Sequence, residues 1–305
     1  MKKLYGVTTA MVTPMYENGI VNLDETKNLT NFLIDRGVDC LYPLGTTGEM
    51  MKLSIEERKK VAQTVIDTAK QRVNVFIHVG AMTTEDTLEL AQHAYDAGAD
   101  GIGVITPTFF TANDYELENF YSTIANTLPN DFSIYLYSIP QLTGNELPVS
   151  VVKSLAEKHE NIVGIKYSYP DFLMLKDYLT IRSHDFSVLT GADALFVPAM
   201  AMGCDGVISG VSGVYPEPFV AIAKAYEQGE IGQARKLQGQ ADEIIQILKA
   251  GANMSYFKQA LNNRGIQAGS VKAPQQDIDD ESVSALVNEV QQWTESLQID
   301  IQNSK

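Results

Sequence analysis

The chain has few of the side chains that staple folds or hold metals. Cys40 and Cys204 are its only cysteines among 305 residues, and they form no Cys-x-x-Cys pair. Each precedes a strand-like apolar run, which describes buried, inert thiols in a reducing compartment and excludes a disulfide framework. His78, His93, His159 and His184 show no zinc-type spacing, so no protein-bound metal is expected. Positive charge is also scarce: 23 Lys and Arg stand against 38 Asp and Glu, a net charge of −15. That balance argues against nucleic acid or an anionic membrane as a partner. An anionic substrate must then be drawn by a local site and not by the overall field. No apolar run is long enough to span a bilayer. Residues 1–6 lack the apolar region and cleavage site of a signal peptide. A soluble, cytoplasmic protein is expected. No linker rich in Pro, Gly or Ser interrupts the chain, and no segment has low complexity.

What is present is a regular alternation. Short apolar runs begin near Gly6, Val38, Val73, Gly101, Phe132, Ile162, Phe186 and Asp205. They recur at intervals of roughly 25–35 residues, the size of a strand-plus-helix unit. Amphipathic segments fill most of the gaps. Ser54 and Glu57 form a capping box ahead of Val61, Ala62, Val65, Ile66 and Ala69. Asn113 and Glu116 make a similar start, and Thr83 opens a helix that ends at Gly98. Eight such units predict an α/β fold, a (β/α)8 TIM barrel over residues 1–225 with an appended C-terminal helical extension over 226–305. A doubly wound sheet is the rival topology, but no G-x-G-x-x-G opens a helix after the first strand. In the extension the pattern predicts helices at 218–226, 231–248 and 282–297, with a polar, loop-like stretch at 262–281.

Lys166 is the most informative residue. It ends the β-branched run Ile162-Val163-Gly164-Ile165, which describes a strand buried on both faces. An isolated buried ammonium tends to shed its proton, and the neutral amine is a nucleophile for carbonyl carbon. Its alternative is a lysine whose stem packs while its head reaches water. In a barrel of this kind the site lies at the C-terminal strand ends. After strand two comes Gly45-Thr46-Thr47-Gly48-Glu49, a tight turn able to cradle a phosphate or carboxylate on its N–H groups, or else an ordinary glycine-rich connection. After strand five, Tyr135 and Tyr137 share a face. Tyr137 lies nearer the strand end, where it offers its hydroxyl to the site or satisfies it within the core. Strands seven and eight end in the glycine-rich turns Gly191-Ala192-Asp193 and Gly206-Val207-Ile208-Ser209-Gly210, which let backbone approach a ligand. An amine, an anion cradle and a phenol together suit a 2-oxo acid. The amine forms an imine with the keto carbon, and Tyr137 moves protons with Thr47 as its relay partner.

This constellation resembles the dihydrodipicolinate synthase / N-acetylneuraminate lyase family of pyruvate-dependent class I aldolases, and within it the N-acetylneuraminate lyase branch. The motifs that carry the resemblance are Gly45 to Glu49, Tyr137 to Gly144 and Gly164 to Tyr167. It implies a barrel with C-terminal helices, a homotetramer, and no metal or organic cofactor. It implies that Lys166 forms the Schiff base, that Thr46 and Thr47 bind the carboxylate, that Tyr137 moves the proton and that the Ile208 carbonyl faces the keto acid. Gly48, Leu142, Ser168, Gly191, Asp193 and Gly210 complete the expected substrate-binding set.

Gly37-Val38-Asp39, Leu41-Tyr42 and Ile77-His78-Val79-Gly80-Ala81 are similar to the sialic acid lyase branch. Leu142 stands where dihydrodipicolinate synthases typically place an arginine, and leucine makes no bidentate contact to a carboxylate. Ala194 and Gly210 stand where sialic acid lyases usually have a glutamate and a serine, which tilts the expectation toward a partner other than a sialic acid, and Phe110 stands where the family usually has a tyrosine. The expected function is a lyase that cleaves a 2-oxo acid to pyruvate and an aldehyde, the aldehyde being N-acetylmannosamine or a shorter aldose from a 2-keto-3-deoxy sugar acid. The alternatives are a sugar-acid dehydratase using the same imine, a dihydrodipicolinate synthase, which Leu142 disfavours, and a protein that binds 2-oxo acids without turnover.

Overall fold

A computed structural model describes residues 1–181 and 185–297; His184 lies outside them. Eight parallel strands close into a barrel in chain order. They are β1 (Gly6–Ala10), β2 (Cys40–Tyr42), β3 (Asn74–His78), β4 (Gly101–Ile105), β5 (Ser133–Ser138), β6 (Ile162–Tyr167), β7 (Ser187–Thr190) and β8 (Gly206–Ser209). Each starts within two residues of an apolar run read from the sequence, so the (β/α)8 expectation holds and the doubly wound rival falls. Every residue of β4, β5 and β6 is buried, as parallel strands packed on both faces require.

The helices after the first four strands are α1 (Leu23–Asp35), α2 (Ile55–Ala69), α3 (Thr84–Asp96) and α4 (Asp114–Thr127). The next strands are followed by α5 (Pro140–Thr143), α6 (Val149–Lys158), α7 (Phe172–Leu179), α8 (Phe196–Met202) and α9 (Pro216–Glu227). Both capping boxes form, at Ser54/Glu57 and Asn113/Glu116. Thr83 caps α3 through the Asp86 N–H. Such starts satisfy N–H groups that the first turn leaves without carbonyl partners.

The C-terminal region holds α10 (Ile231–Ile247), α11 (Met254–Asn263) and α12 (Asp280–Ser296). The expected helices at 231–248 and 282–297 are present. Helix α11 is a correction, since no helix was expected there. Asn253 caps it through the Ser255 N–H, and Met254, Phe257, Ala260 and Leu261 form its buried face. Met15 N–H donates to the Ala268 carbonyl at 3.0 Å, so the polar stretch after α11 is tied to the loop after β1. Both cysteines are buried thiols, and burial pushes Cys40 up to about 11. Among the described residues no helix is long and apolar enough to cross a membrane.

Candidate active site

Register sets the first pair. Tyr137 on β5 and Lys166 on β6 are direct cross-strand partners, so both side chains emerge at the same height of the barrel. Lys166 is 6% exposed. Its Nζ lies 4.2 Å from the centre of the Tyr137 ring and 5.2 Å from that of Tyr42. The head of the lysine is thus held by aromatic faces, which counts against the stem-packed, water-reaching alternative. The Tyr137 ring meets His78 edge-on at 5.8 Å. His78 is fully buried, with Nδ1 3.1 Å from the Leu44 carbonyl. Burial, then the Arg58 and Lys166 charges, hold its imidazole well below the usual histidine range, so it stays neutral. Arg58 braces this strand end by donating to the His78 and Gly80 carbonyls at 2.9 and 3.0 Å.

The threonine turn follows β2. Gly48 N–H and Glu49 N–H are consumed inside it, by the Gly45 and Thr46 carbonyls at 3.0 Å each. The N–H groups of Thr46 and Thr47 make no such bond among the described residues, and these are the donors free to meet an anion. Two expectations change here. Gly48 does not line the cavity. It is a packing position, since a Cβ there would stand 3.0 Å from Leu44 backbone and 3.2 Å from the Met11 carbonyl. The threonine within reach of the Tyr137 hydroxyl is Thr46, at 3.4 Å, and not Thr47. Thr47 instead faces β8, where a Cβ on Gly210 would stand 3.0 Å from its Oγ1.

Ser168, Gly191 and Asp193 close the side toward β7. A Cβ on Gly191 would fall 1.8 Å from Ser168 Oγ and 3.0 Å from Lys166 Cε, so glycine there makes room for the lysine. Among the described residues, Ser168 Oγ and Asp193 Oδ1 are sealed from solvent without a hydrogen-bond partner. Asp193 Oδ2 accepts from Val211 N–H at 3.2 Å. Burial pushes its carboxyl up to about 6, against the lowering effects of the Val211 N–H, Ser209 and the Lys166 charge.

Ala10, Thr46, Thr47, Tyr137, Lys166 and Ile208 share one cavity of about 420 Å3. Leu142, Ser168, Gly191, Asp193 and Gly210 line it too. Of the expected set Gly48 alone is missing. Sequence reasoning missed the outer wall, formed by residues 249–252, Met254 and Phe257. Lys249, Ala250 and Gly251 there hold left-handed backbone, with φ of 53°, 49° and 77°; two of them are not glycine, a strained arrangement of the kind found at ligand sites. Arg264 does not reach the cavity; it pairs with Glu217.

An enclosed amine beside a phenol and a threonine turn, at the C-terminal mouth of a parallel barrel, defines a lyase of the pyruvate-dependent aldolase class. The chain belongs to the Dihydrodipicolinate synthetase family, whose family model matches residues 3–293. An uncharacterized DapA-like lyase of Halobacterium salinarum is 34% identical over 93% of this chain and 92% of its own. The 4-hydroxy-tetrahydrodipicolinate synthase of Methanocaldococcus jannaschii is 33% identical over 93% and 96%. Among solved structures, the pyruvate complex of YagE, a prophage protein of the dihydrodipicolinic acid synthase family from E. coli K12, superposes with a TM-score of 0.90. It is 31% identical, over 95% of this chain and 98% of its own. These names establish the family. The nearer kinship to sialic acid lyases expected from the sequence is not what they carry.

Proposed function

We propose that the chain cleaves a 4-hydroxy-2-oxo acid reversibly to pyruvate and an aldehyde through an imine on Lys166. The observation that carries this reading is the Lys166 amine, 4.2 Å from the Tyr137 ring centre, opening onto a cavity rimmed by the free N–H groups of Thr46 and Thr47. The substrate carboxylate sits on those N–H groups. Lys166 Nζ attacks C2 of the keto acid, and water leaves as the imine forms. Tyr137 takes the proton of the C4 hydroxyl, the C3–C4 bond breaks, and the aldehyde departs. The bond's electrons pass to C3 and the imine, giving an enamine. A proton returns to C3, and water releases pyruvate from Lys166. Thr46 is the relay for the Tyr137 proton, by virtue of its 3.4 Å contact. The pyruvate in the YagE complex supports pyruvate as the common fragment here.

For the aldehyde, Leu142 at the cavity wall presents no cation to a second carboxylate, which weighs against aspartate semialdehyde and for an N-acetylneuraminate or 2-keto-3-deoxy sugar acid. The names of the 4-hydroxy-tetrahydrodipicolinate synthases at 33% identity favour the synthase as the second reading. The chain acts as a homotetramer in this account. The exposed Met82, Phe109, Phe110 and Leu142 form the sort of apolar surface that marks an interface. The test is product analysis on candidate 2-oxo acids beside condensation of pyruvate with aspartate semialdehyde. Pyruvate release lost in Lys166→Ala supports the lyase, and a retained carbon chain indicates the dehydratase. Normal turnover in Lys166→Ala overturns the reading.

A further inference from the structure

The threonine turn is gripped from behind by the C-terminal region. Glu49, its last residue, holds left-handed backbone with φ of 58°, an unfavourable conformation for a side chain with a Cβ. Its carboxylate is 1% exposed and stands 2.7 Å from Lys258 Nζ on α11, which is 0% exposed. Lys258 is the ion-pair partner of Oε1, which accepts no hydrogen bond among the described residues. The other oxygen, Oε2, accepts from Lys52 Nζ and from Lys272 N–H at 3.0 Å each. Lys258 also donates to the Ser270 carbonyl at 2.6 Å. One buried carboxylate therefore joins the turn, α11 and the stretch beyond it. Helix α11 also supplies Met254 and Phe257 to the cavity wall.

The geometry points to Glu49 and Lys258 as positioning residues for the 2-oxo acid's carboxylate: their ion pair holds the Thr46 and Thr47 N–H groups in binding shape. It rests on the function proposed above. A buried pair is a poor source of stability, because desolvation offsets the attraction, but removing one partner strands the other charge in a closed site. Without Lys258, Oε1 is left buried and unpaired while Oε2 keeps Lys52, and the turn has a simple way to relieve it. Its carboxylate swings toward solvent and the left-handed residue relaxes, moving the adjacent N–H groups. Losing a hydrogen bond to a charged carboxylate costs roughly ten- to a hundredfold in affinity. A pair that serves packing alone has no reason to change affinity for the keto acid.

The experiment is borohydride trapping at graded pyruvate, read by intact mass, with unfolding temperature measured on each variant. Lys258→Met and Glu49→Gln are expected to raise the half-saturating pyruvate concentration by about ten- to a hundredfold. Full labelling persists at saturation, since Lys166 is untouched. Lys258→Arg restores most of the affinity. The double variant binds better than either single one, because neither charge is then stranded. Glu217→Gln, which breaks the buried Arg264 pair away from the cavity, lowers the unfolding temperature without moving half-saturation. Wild-type half-saturation in folded Lys258→Met, or an equal rise in Glu217→Gln, overturns the inference. Should Lys258→Met not fold, Lys258→Arg and the double variant decide it: a double variant as weak as Glu49→Gln alone counts against coupling. No adduct on the wild-type protein is a different result, and overturns the proposed function instead.

Discussion

Replacing Gly191 by alanine adds one methyl group at the point where β7 meets Lys166. The backbone there is not left-handed, so the effect is steric and not conformational. The new Cβ falls 1.8 Å from Ser168 Oγ, 2.8 Å from Ser168 Cβ and 3.0 Å from Lys166 Cε. The first two separations are impossible for real atoms, so Ser168 or the strand end has to move. Ser168 is buried, and its N–H donates to the Ser138 carbonyl at 2.9 Å, so rotating Oγ away relieves only part of the clash. Overpacking of this kind costs about 1–3 kcal/mol, a fall of a few degrees in unfolding temperature. The larger effect falls on Lys166, whose Cε sits against the added methyl. A shift of about 1 Å in a reacting group costs roughly a hundredfold in rate. Gly191→Ala is therefore expected to lower the rate of imine trapping by about tenfold to a hundredfold while remaining folded. Adding Ser168→Gly removes both clashing atoms and recovers most of that loss. The assay is the rate of pyruvate trapping by borohydride alongside thermal unfolding. Gly191→Ala with wild-type trapping and stability would refute the reasoning, as would a double variant no better than the single.

Tyr137→Phe keeps the ring against Lys166 and removes the hydroxyl. Turnover should fall by about a hundredfold to ten-thousandfold while pyruvate still labels the protein, and stopped-flow pyruvate release checks this. Asp193 is held near 6 by burial, above its unfolded value. The folded chain therefore favours the protonated carboxyl, and stability from this group is present below the ordinary carboxylate range and lost as pH rises through about 6. Asp193→Asn should unfold at a higher temperature than the wild type at pH 7.5, with little difference at pH 4; the reverse order contradicts it. His78 has the opposite sign. Its folded value lies below its unfolded one, so its contribution is present above about pH 6.5 and lost as acid protonates the unfolded chain. His78→Gln should flatten the fall in unfolding temperature between pH 6.5 and 5, measured by calorimetry.

The barrel was legible because its parallel strands are almost wholly buried and therefore mostly apolar. Eight short apolar runs at unit spacing leave little else to build. Lys166 was legible for the converse reason, as a charge where the pattern demands an apolar residue. What was not legible depends on distances across the chain or on single hydrogen bonds. Thr46 and Thr47 are neighbours of one type, and which one meets Tyr137 follows from how the turn coils on its own carbonyls. Gly48 looks like a ligand-approach glycine, yet it packs against Leu44 and Met11. Helix α11 escaped notice because the left-handed Lys249-Ala250-Gly251 step breaks the helical period after α10. Its Asn253 cap was the available signal. That α11 and residues 249–252 wall the cavity is a consequence of chain return, which no local pattern carries.

The most direct measurement is borohydride trapping of the wild-type protein with pyruvate, read by intact mass and peptide mapping. The account predicts one reduced pyruvate adduct per chain, on Lys166 and on no other lysine, abolished in Lys166→Ala. No adduct, or an adduct on a different lysine, contradicts the imine mechanism.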